Sequence, residues 1–223
     1  MPPAQIQGLI FDFDGLILDS ETPIFQAWKR LYREYDQHLG LEDWADIIGV
    51  SPDDHHPIQG LQALVGDQLD ADAARKKVSL WEQERVQQQP VLPGVEDTLS
   101  AAEEAGLKLG VASSSSHSWV DGHLERLNLR DRFQAVCCSD DVRRSKPDPE
   151  VYHLVLQLLG LSSPQAVVLE DSPNGMLAAK RAGLFCVVVP NPMTEGLSFE
   201  KDGYQPDLML ESLEEFQLET FLA

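Results

Sequence analysis

The sequence has few cysteines and no long apolar run. Three cysteines, Cys137, Cys138 and Cys186, occur among 223 residues. Their spacing fits neither a disulfide framework nor a zinc site, so we expect reduced thiols in a cytoplasmic protein. No apolar run approaches the ~20 residues that a membrane span needs. The start of the chain also lacks the basic and apolar pattern of a secretory signal, so we expect none.

Basic residues are scarce as well. The chain carries 17 lysines and arginines against 37 acidic residues, a formal net charge of -20. Such a surface repels nucleic acids and anionic membranes, so we expect neither as a partner. It also repels phosphate esters, so a site for a phosphorylated ligand requires a metal ion and a few well-placed cations. Hydrophobic residues make up 43% of the chain, which is enough for a sizeable core.

Short apolar runs alternate with helical patterns along most of the chain. The runs are typical of buried parallel strands, and they lie at residues 8–13, 107–112, 134–138, 166–169 and 184–189, with 207–210 as a weaker edge strand. Two of the predicted helix faces consist of Val120, Leu124 and Leu127, and of Val151, Leu154, Val155, Leu158 and Leu159. This alternation predicts an α/β fold with a doubly wound, mainly parallel sheet.

One long segment after the first predicted strand breaks the alternation. Between about residues 20 and 89 only helical patterns occur, such as the spacing of Ala74, Val78 and Trp81. Turn-forming residues from Gln87 to Gly94 close the segment. We therefore predict an α/β core formed by residues 1–18 and 91–223, with residues 19–90 inserted as an α-helical domain.

Polar residues follow the predicted strands at the edge where ligands of open α/β sheets bind. They are Asp12, Asp14, Ser113, Lys146, Glu170 and Asp171. Clustered carboxylates repel one another unless a cation lies among them, and Mg²⁺ prefers such oxygen ligands. One carboxylate could attack a phosphoryl group while another transfers protons. Taken singly, these residues fit ordinary turns, helix caps or a solvated lysine, and only their common placement favours a site.

Four segments in a fixed order resemble the haloacid dehalogenase superfamily, in particular its β-phosphoglucomutase-like branch with a helical cap. They are residues 11–15 with 19–21, 111–114, 146–149 and 170–175. The resemblance implies a Rossmann-like core, a cap formed by the inserted helices and an aspartyl-phosphate intermediate. It also implies a small phosphorylated metabolite as the partner. A monomer is compatible with the sequence.

The resemblance implies a role for each matching residue. Asp12 is the expected nucleophile and Asp14 the general acid and base. The expected ligands of Mg²⁺ are Asp12, the backbone carbonyl of Asp14, Asp171 and, through water, Glu170. Ser113, Ser114 and Lys146 are expected to bind the phosphoryl group, and Ser172 and Asn174 to support the metal site. Ser116 and His117 are candidates for substrate contact, and Asp140 and Asp141 for a structural role.

Two departures favour a phosphatase over a phosphosugar mutase. Pro52 stands where the mutases carry a phosphate-binding arginine, and Asp53 and Asp54 follow it. Ile24 stands where they carry a histidine. We therefore expect hydrolysis of a sugar or polyol phosphate. A mutase is the alternative, and a non-catalytic receiver-like phosphorylation switch is a further one, although receivers lack the helical insert. The sequence leaves the role of His55 and His56 open.

Overall fold

The computed structural model describes residues 5–45 and 57–222. The predictions that concern Pro52, Asp53, Asp54, His55 and His56 therefore lie outside the described residues.

A parallel sheet forms the centre of the fold. Its six strands are β1 (Gly8–Phe11), β2 (Lys108–Ala112), β3 (Ala135–Cys137), β4 (Ala166–Glu170), β5 (Phe185–Val188) and β6 (Leu208–Met209). They lie in the order β3-β2-β1-β4-β5-β6, and every pair of neighbours is parallel. The predicted strands are confirmed, including the weaker edge strand, and so is the doubly wound α/β fold.

Helices occupy most of the connections between strands. Between β1 and β2 lie α1 (Glu21–Glu34), α2 (Leu41–Ala45), α3 (Pro57–Val65), α4 (Ala71–Val86) and α5 (Val95–Glu104). The later connections contain α6 (His117–Arg126), α7 (Glu150–Leu159) and α8 (Pro173–Arg181). Among the described residues, every helix is too short or too polar to cross a membrane.

Strands β1 to β5 are largely buried on both faces because helices cover both sides of the sheet. Both residues of the edge strand β6 are exposed. Leu9 and Phe11 of β1 pack into one hydrophobic cluster, whereas Ile10 between them packs into another. One predicted helix face is wrong at Leu158, which is 60% exposed. Tyr152 and Leu156 instead share the buried face of α7 with its valines, because α7 packs a face rotated from the predicted one against the sheet.

The helices inserted after β1 form most of a separate hydrophobic cluster, to which Met193 from the loop after β5 also belongs. It includes Phe25, Trp28, Leu61 and Val78 from α1, α3 and α4, together with Trp44 from α2. The chain leaves the sheet and returns to it at adjacent points, because Leu18 and Val91 form an antiparallel bridge. The division into residues 1–18 with 91–223 and residues 19–90 stays a prediction.

Candidate active site

The strand order brings the predicted site residues to one edge of the sheet. β1 pairs with β2 on one side and with β4 on the other. Asp12 directly follows β1, Ser113 directly follows β2, and Glu170 ends β4 just before Asp171. The connection from β1 runs to β2 on one side, and the connection from β4 runs to β5 on the other side. The carboxyl ends of β1 and β4 therefore form the topological switch point, where open α/β sheets bind ligands.

Lys146 lies at the centre of the site, between two carboxylates. Its buried Nζ is 2.6 Å from Oδ1 of Asp12 and 2.6 Å from Oε1 of Glu170. It also donates to the carbonyl oxygen of Ala112 at 2.9 Å. An ammonium has three N–H donors, so all three are directed at protein oxygens. The predicted phosphate-binding lysine is thus placed to neutralise Asp12 and Glu170.

Glu170 is fully buried and held by several donors. Its Oε1 accepts a hydrogen bond from the hydroxyl of Tyr152 at 2.6 Å, in addition to the bond from Lys146. Its Oε2 accepts from the backbone N–H groups of Asp171 and Ser172, at 3.0 and 3.2 Å. Such a set of hydrogen bonds offsets the cost of burying the carboxylate and fixes its position.

Burial and mutual repulsion govern the charges of the site. Burial raises the pKa of Asp12 to about 7; Lys146 opposes the increase, and Glu170 adds to it. Burial alone would lower the pKa of Lys146, but the charges of Asp12 and Glu170 raise it overall. The pKa of Asp171 lies well above its usual range because of burial, followed by the charges of Glu21 and Asp12. A further cation would favour the ionised carboxylates.

The donor set fits a hard divalent cation. Asp12, Glu170 and Asp171 are buried, and each offers a carboxylate oxygen within 4.8 Å of those of the other two. Lys146 supplies one positive charge to this group. One carboxylate oxygen of nearby Glu21 is buried and has no hydrogen-bond partner among the described residues. Mg²⁺ prefers oxygen ligands, and its charge would balance the excess of carboxylates in this group.

Asp14 lies on the side of the site that faces α6. Its Oδ1 accepts hydrogen bonds from the hydroxyl of Ser20 at 2.5 Å and from the indole N–H of Trp119 at 2.8 Å. Its Oδ2 accepts from Ser115 at 2.6 Å, and the buried Ser113 hydroxyl lies 3.5 Å away. Two of the predicted residues, Asp14 and Ser113, are thus brought together, and Ser114 lies half-buried in the same turn.

Ser116 and His117 make their contacts away from the carboxylate cluster. The Ser116 hydroxyl lies 3.0 Å from that of Ser118. The His117 ring joins Oδ2 of Asp121 at 2.8 Å to Oδ2 of Asp141 at 2.7 Å. The backbone N–H of His117 donates to Asp140 at 2.7 Å. These contacts attach the start of α6 to the turn that follows β3, which is the structural role expected of Asp140 and Asp141.

We expect His117→Asn to destabilise the protein more at pH 5.5 than at pH 9. Burial alone would lower the pKa of His117, but its bonds to Asp121 and Asp141 raise it overall. Because the pKa of His117 is higher in the folded than in the unfolded protein, protonation of His117 stabilises the fold. This contribution is fully present below the unfolded pKa of ~6.5 and disappears as the pH rises through the folded pKa. The contribution is at most about 1 kcal/mol, since the pair is partly exposed. Thermal melts of the parent and of His117→Asn between pH 5.5 and pH 9 measure this contribution. A difference in stability that grows with pH would contradict the prediction.

The loop after β4 supports the site through its helix start and its neighbours. The hydroxyl of Ser172 caps α8 by accepting the backbone N–H of Gly175 at 3.1 Å. Asn174 Oδ1 accepts a hydrogen bond from Lys201 at 2.7 Å. Asn191, in the loop after β5, donates to Oδ2 of Asp171 at 2.7 Å. Ser172 thus caps the helix that follows the loop, and Asn191 orients Asp171.

Sequence reasoning missed several residues of the site. Asn191 follows β5, so the rule that placed the other residues at strand ends could have found it. Ser115 and Trp119 lie just beyond the second motif, where spacing alone does not tell which side chains turn towards Asp14. Tyr152 belongs to a helix that was predicted only from its apolar face, so nothing in the sequence indicated its bond to Glu170.

Comparison with known proteins is consistent with this geometry. A model of the family "Haloacid dehalogenase-like hydrolase" matches residues 9–189. The Bacillus subtilis (strain 168) protein YhcW, which carries phosphatase in its name, is 40% identical over 217 residues, covering 97% of this chain and 96% of YhcW. Hexitol phosphatase B of Escherichia coli (strain K12) is 33% identical over 199 residues, covering 85% and 86%.

Solved structures include similar folds. A Thermotoga maritima protein that carries β-phosphoglucomutase in its name superposes with a TM-score of 0.76 at 28% identity, covering 94% of this chain and 96% of that one. These matches confirm the resemblance drawn from the four motifs. Together with the names of the relatives they also confirm the prediction of an enzyme of the phosphoric monoester hydrolase class.

Proposed function

The chain belongs to the haloacid dehalogenase-like hydrolases, and on this premise we propose that it is a magnesium-dependent phosphatase acting through an aspartyl-phosphate on Asp12. The observation that carries the proposal is the position of Lys146, 2.6 Å from both Asp12 and Glu170, with Asp171 in the same buried group. This arrangement presents a carboxylate beside fixed positive charge, at the edge of the sheet where ligands bind.

In the first step, a carboxylate oxygen of Asp12 attacks phosphorus and the bond to the ester oxygen breaks. Asp14 gives its proton to the departing alkoxide, which leaves as an alcohol. In the second step, Asp14 takes a proton from water, the resulting hydroxide attacks phosphorus, and the bond to Asp12 breaks to release inorganic phosphate. The hydrogen bonds from Ser20, Ser115 and Trp119 hold the Asp14 carboxylate at the side of the site from which it must act.

Asp12, Asp171 and the backbone carbonyl of Asp14 would hold Mg²⁺, with Glu170 supporting it. Bound there, the ion would supply positive charge that offsets the negative charge of the phosphoryl group. Lys146 holds Asp12 in place and offsets its charge. The hydroxyl of Ser113 and the amide of Ser114 would donate hydrogen bonds to phosphoryl oxygens, in the manner of an oxyanion hole.

We propose a small sugar or polyol phosphate as the substrate. The relative named Hexitol phosphatase B supports this class. The helices inserted after β1, residues 19–90 in the proposed division, would act as a cap over the carboxyl edge of the sheet. Such closure excludes water from the reaction and brings substrate-selective residues to the leaving group.

A phosphate-release screen over hexose, deoxyhexose and hexitol phosphates tests this function. We expect turnover of at least one hexose or hexitol phosphate when Mg²⁺ is present, loss of activity in excess chelator and recovery when Mg²⁺ is restored. Ca²⁺ should restore activity poorly, because its larger and more flexible shell positions the ligands differently. Full activity in excess chelator would contradict the metal proposal, and no release from any ester would contradict the substrate class.

The phosphosugar mutase remains the alternative, and the similar Thermotoga maritima structure is named for that activity. Incubation of β-glucose 1-phosphate with β-glucose 1,6-bisphosphate separates the two functions. We expect inorganic phosphate to be the main product, as seen by phosphorus NMR. Glucose 6-phosphate that accumulates faster than inorganic phosphate would identify a mutase.

A further inference from the structure

Glu21 is a half-buried acid whose carboxylate has one fully buried oxygen. It is the first residue of α1, where the chain enters the inserted helices. Its Oε2 is the one buried side-chain nitrogen or oxygen for which the described part of the chain offers no hydrogen-bond partner. An unsatisfied buried acceptor destabilises the fold, and more so when it is charged. An acid kept in this position therefore calls for a donor that the described residues do not provide.

The groups around Glu21 are carboxylates. After burial, the charges of Asp14 and Asp12 are the largest causes that raise the pKa of Glu21. In turn, Glu21 is the strongest charged neighbour of Asp171. Lys146, the cation of this cluster, directs its ammonium at Asp12, Glu170 and the Ala112 carbonyl instead. The charges that act most strongly on Glu21 thus come from carboxylates, while the ammonium of Lys146 is directed at other oxygens.

The position of Glu21 fits the outer surroundings of a metal ion. It is not one of the three residues whose carboxylate oxygens all lie within 4.8 Å of one another. A hydrated Mg²⁺ keeps several of its waters, and a water polarised by the ion is a strong hydrogen-bond donor. Such a water would satisfy the buried Oε2 and add the positive charge that the surrounding carboxylates need.

We propose that Glu21 is an outer ligand of the metal, accepting a hydrogen bond from a metal-bound water. The inference rests on the proposed function, because it requires the ion held by Asp12 and Asp171. It gives the ion a second task. Because Glu21 begins α1, the metal fixes the start of the inserted helices against the edge of the sheet and orders the two parts relative to each other.

Isothermal titration of the metal-free protein with MgCl₂ tests the role of Glu21 without relying on activity. Loss of an outer ligand typically weakens metal binding ~10–100-fold, and we expect this weakening in Glu21→Gln, which keeps the shape of the side chain. Asp19→Asn is the matched control. It removes one negative charge from the same segment, but Asp19 already accepts the backbone N–H of Thr22 at 3.1 Å. We expect the control to bind Mg²⁺ within about threefold of the parent.

The outcomes separate failure of this inference from failure of the proposed function. Asp171→Asn should abolish binding, and a parent protein that fails to bind Mg²⁺ would contradict both. Equal weakening in Glu21→Gln and Asp19→Asn would show a general charge effect and overturn the role of Glu21. Unchanged Mg²⁺ affinity with a raised KM at saturating Mg²⁺ would show instead that Glu21 contacts the substrate.

A second variant guards against misfolding. Glu21→Asp keeps the charge but withdraws the carboxylate by one methylene, so we expect weaker Mg²⁺ binding here too. In thermal melts, Glu21→Gln should be at least as stable as the parent in the metal-free state, because it removes a charge that the surrounding carboxylates repel, and both variants should gain less stability from added Mg²⁺ than the parent does. An equal gain in parent and variants would contradict the inference.

Discussion

Asp12→Asn is expected to lower kcat/KM by about 10⁴-fold or more, the loss seen when an enzyme loses its nucleophile. This corresponds to about 5 kcal/mol of transition-state stabilisation. The amide is nearly the same shape as the carboxylate but is a very poor nucleophile. Its oxygen can still accept the hydrogen bond that Lys146 donates to Oδ1 at 2.6 Å. The fold should therefore be retained, as measured by circular dichroism and thermal melts.

Asp140→Asn is the control for the Asp12 variant. Asp140 also follows a strand of the sheet, but it accepts the backbone N–H of His117 and lies outside the carboxylate group. It undergoes the same chemical change, and we expect kcat/KM to stay within about tenfold of the parent. If Asp12→Asn retained activity comparable to this control, the covalent role of Asp12 would be wrong.

Gly175→Ala is expected to cost about 3 kcal/mol of stability or more, and at least 100-fold in kcat/KM. A Cβ on Gly175 would lie 1.8 Å from Oε1 of Glu170, which is fully buried. The carboxylate would have to move away from Lys146 and Tyr152, both 2.6 Å from the same oxygen. Breaking a buried charge network costs roughly 3–5 kcal/mol. Because Lys146 also holds Asp12, the displacement would reach the proposed nucleophile.

The matched control for this variant is Gly122→Ala. Gly122 lies in α6, and a Cβ there would meet no heavy atom within 4 Å. Replacing a helical glycine by alanine typically stabilises by ~0.5–1 kcal/mol. We expect Gly175→Ala to melt at least ~6 °C below the parent and Gly122→Ala to melt at or above it. A Gly175→Ala protein with the stability and the activity of the parent would show that Glu170 can move without consequence.

The sequence predicted the sheet because its strands are short apolar runs that need burial on both faces. The same logic placed Asp12, Ser113 and Glu170, since each directly follows or ends such a run. It failed where tertiary packing decides. Leu158 matches the helical apolar spacing of α7 yet is exposed, because Tyr152 occupies the buried face and reaches Glu170.

The partners of Lys146 show a different limit of sequence reasoning. The motif identified the residue, but only the fold shows that its ammonium lies between Asp12 and Glu170, which are 158 residues apart in the chain. The same holds for Trp119, whose indole N–H reaches Asp14 from α6. Contacts between side chains that are far apart in the chain depend on how the helices and strands pack, so no local sequence pattern predicts them.

Membership of the hydrolase family excludes one of the alternative functions that the sequence left open. A receiver-like switch clusters acids and a lysine at strand ends, but the match to the hydrolase family spans residues 9–189 and includes the helices inserted after β1. Turnover, rather than a stable phosphorylated state, is therefore the expected behaviour if Asp12 is phosphorylated as proposed. This expectation distinguishes an intermediate from a signal.

The most direct measurement traps the phosphorylated protein and locates the phosphate. The parent and Asp14→Asn are mixed with a ³²P-labelled activated donor such as an acyl phosphate, whose leaving group needs no proton from Asp14, then quenched in acid within milliseconds to seconds and digested for peptide mapping. We predict label on Asp12 that is sensitive to hydroxylamine, brief in the parent and persistent in Asp14→Asn, because the base that activates water is lost. Phosphate release by the parent without labelled protein in either, or label on a residue other than Asp12, would contradict the account.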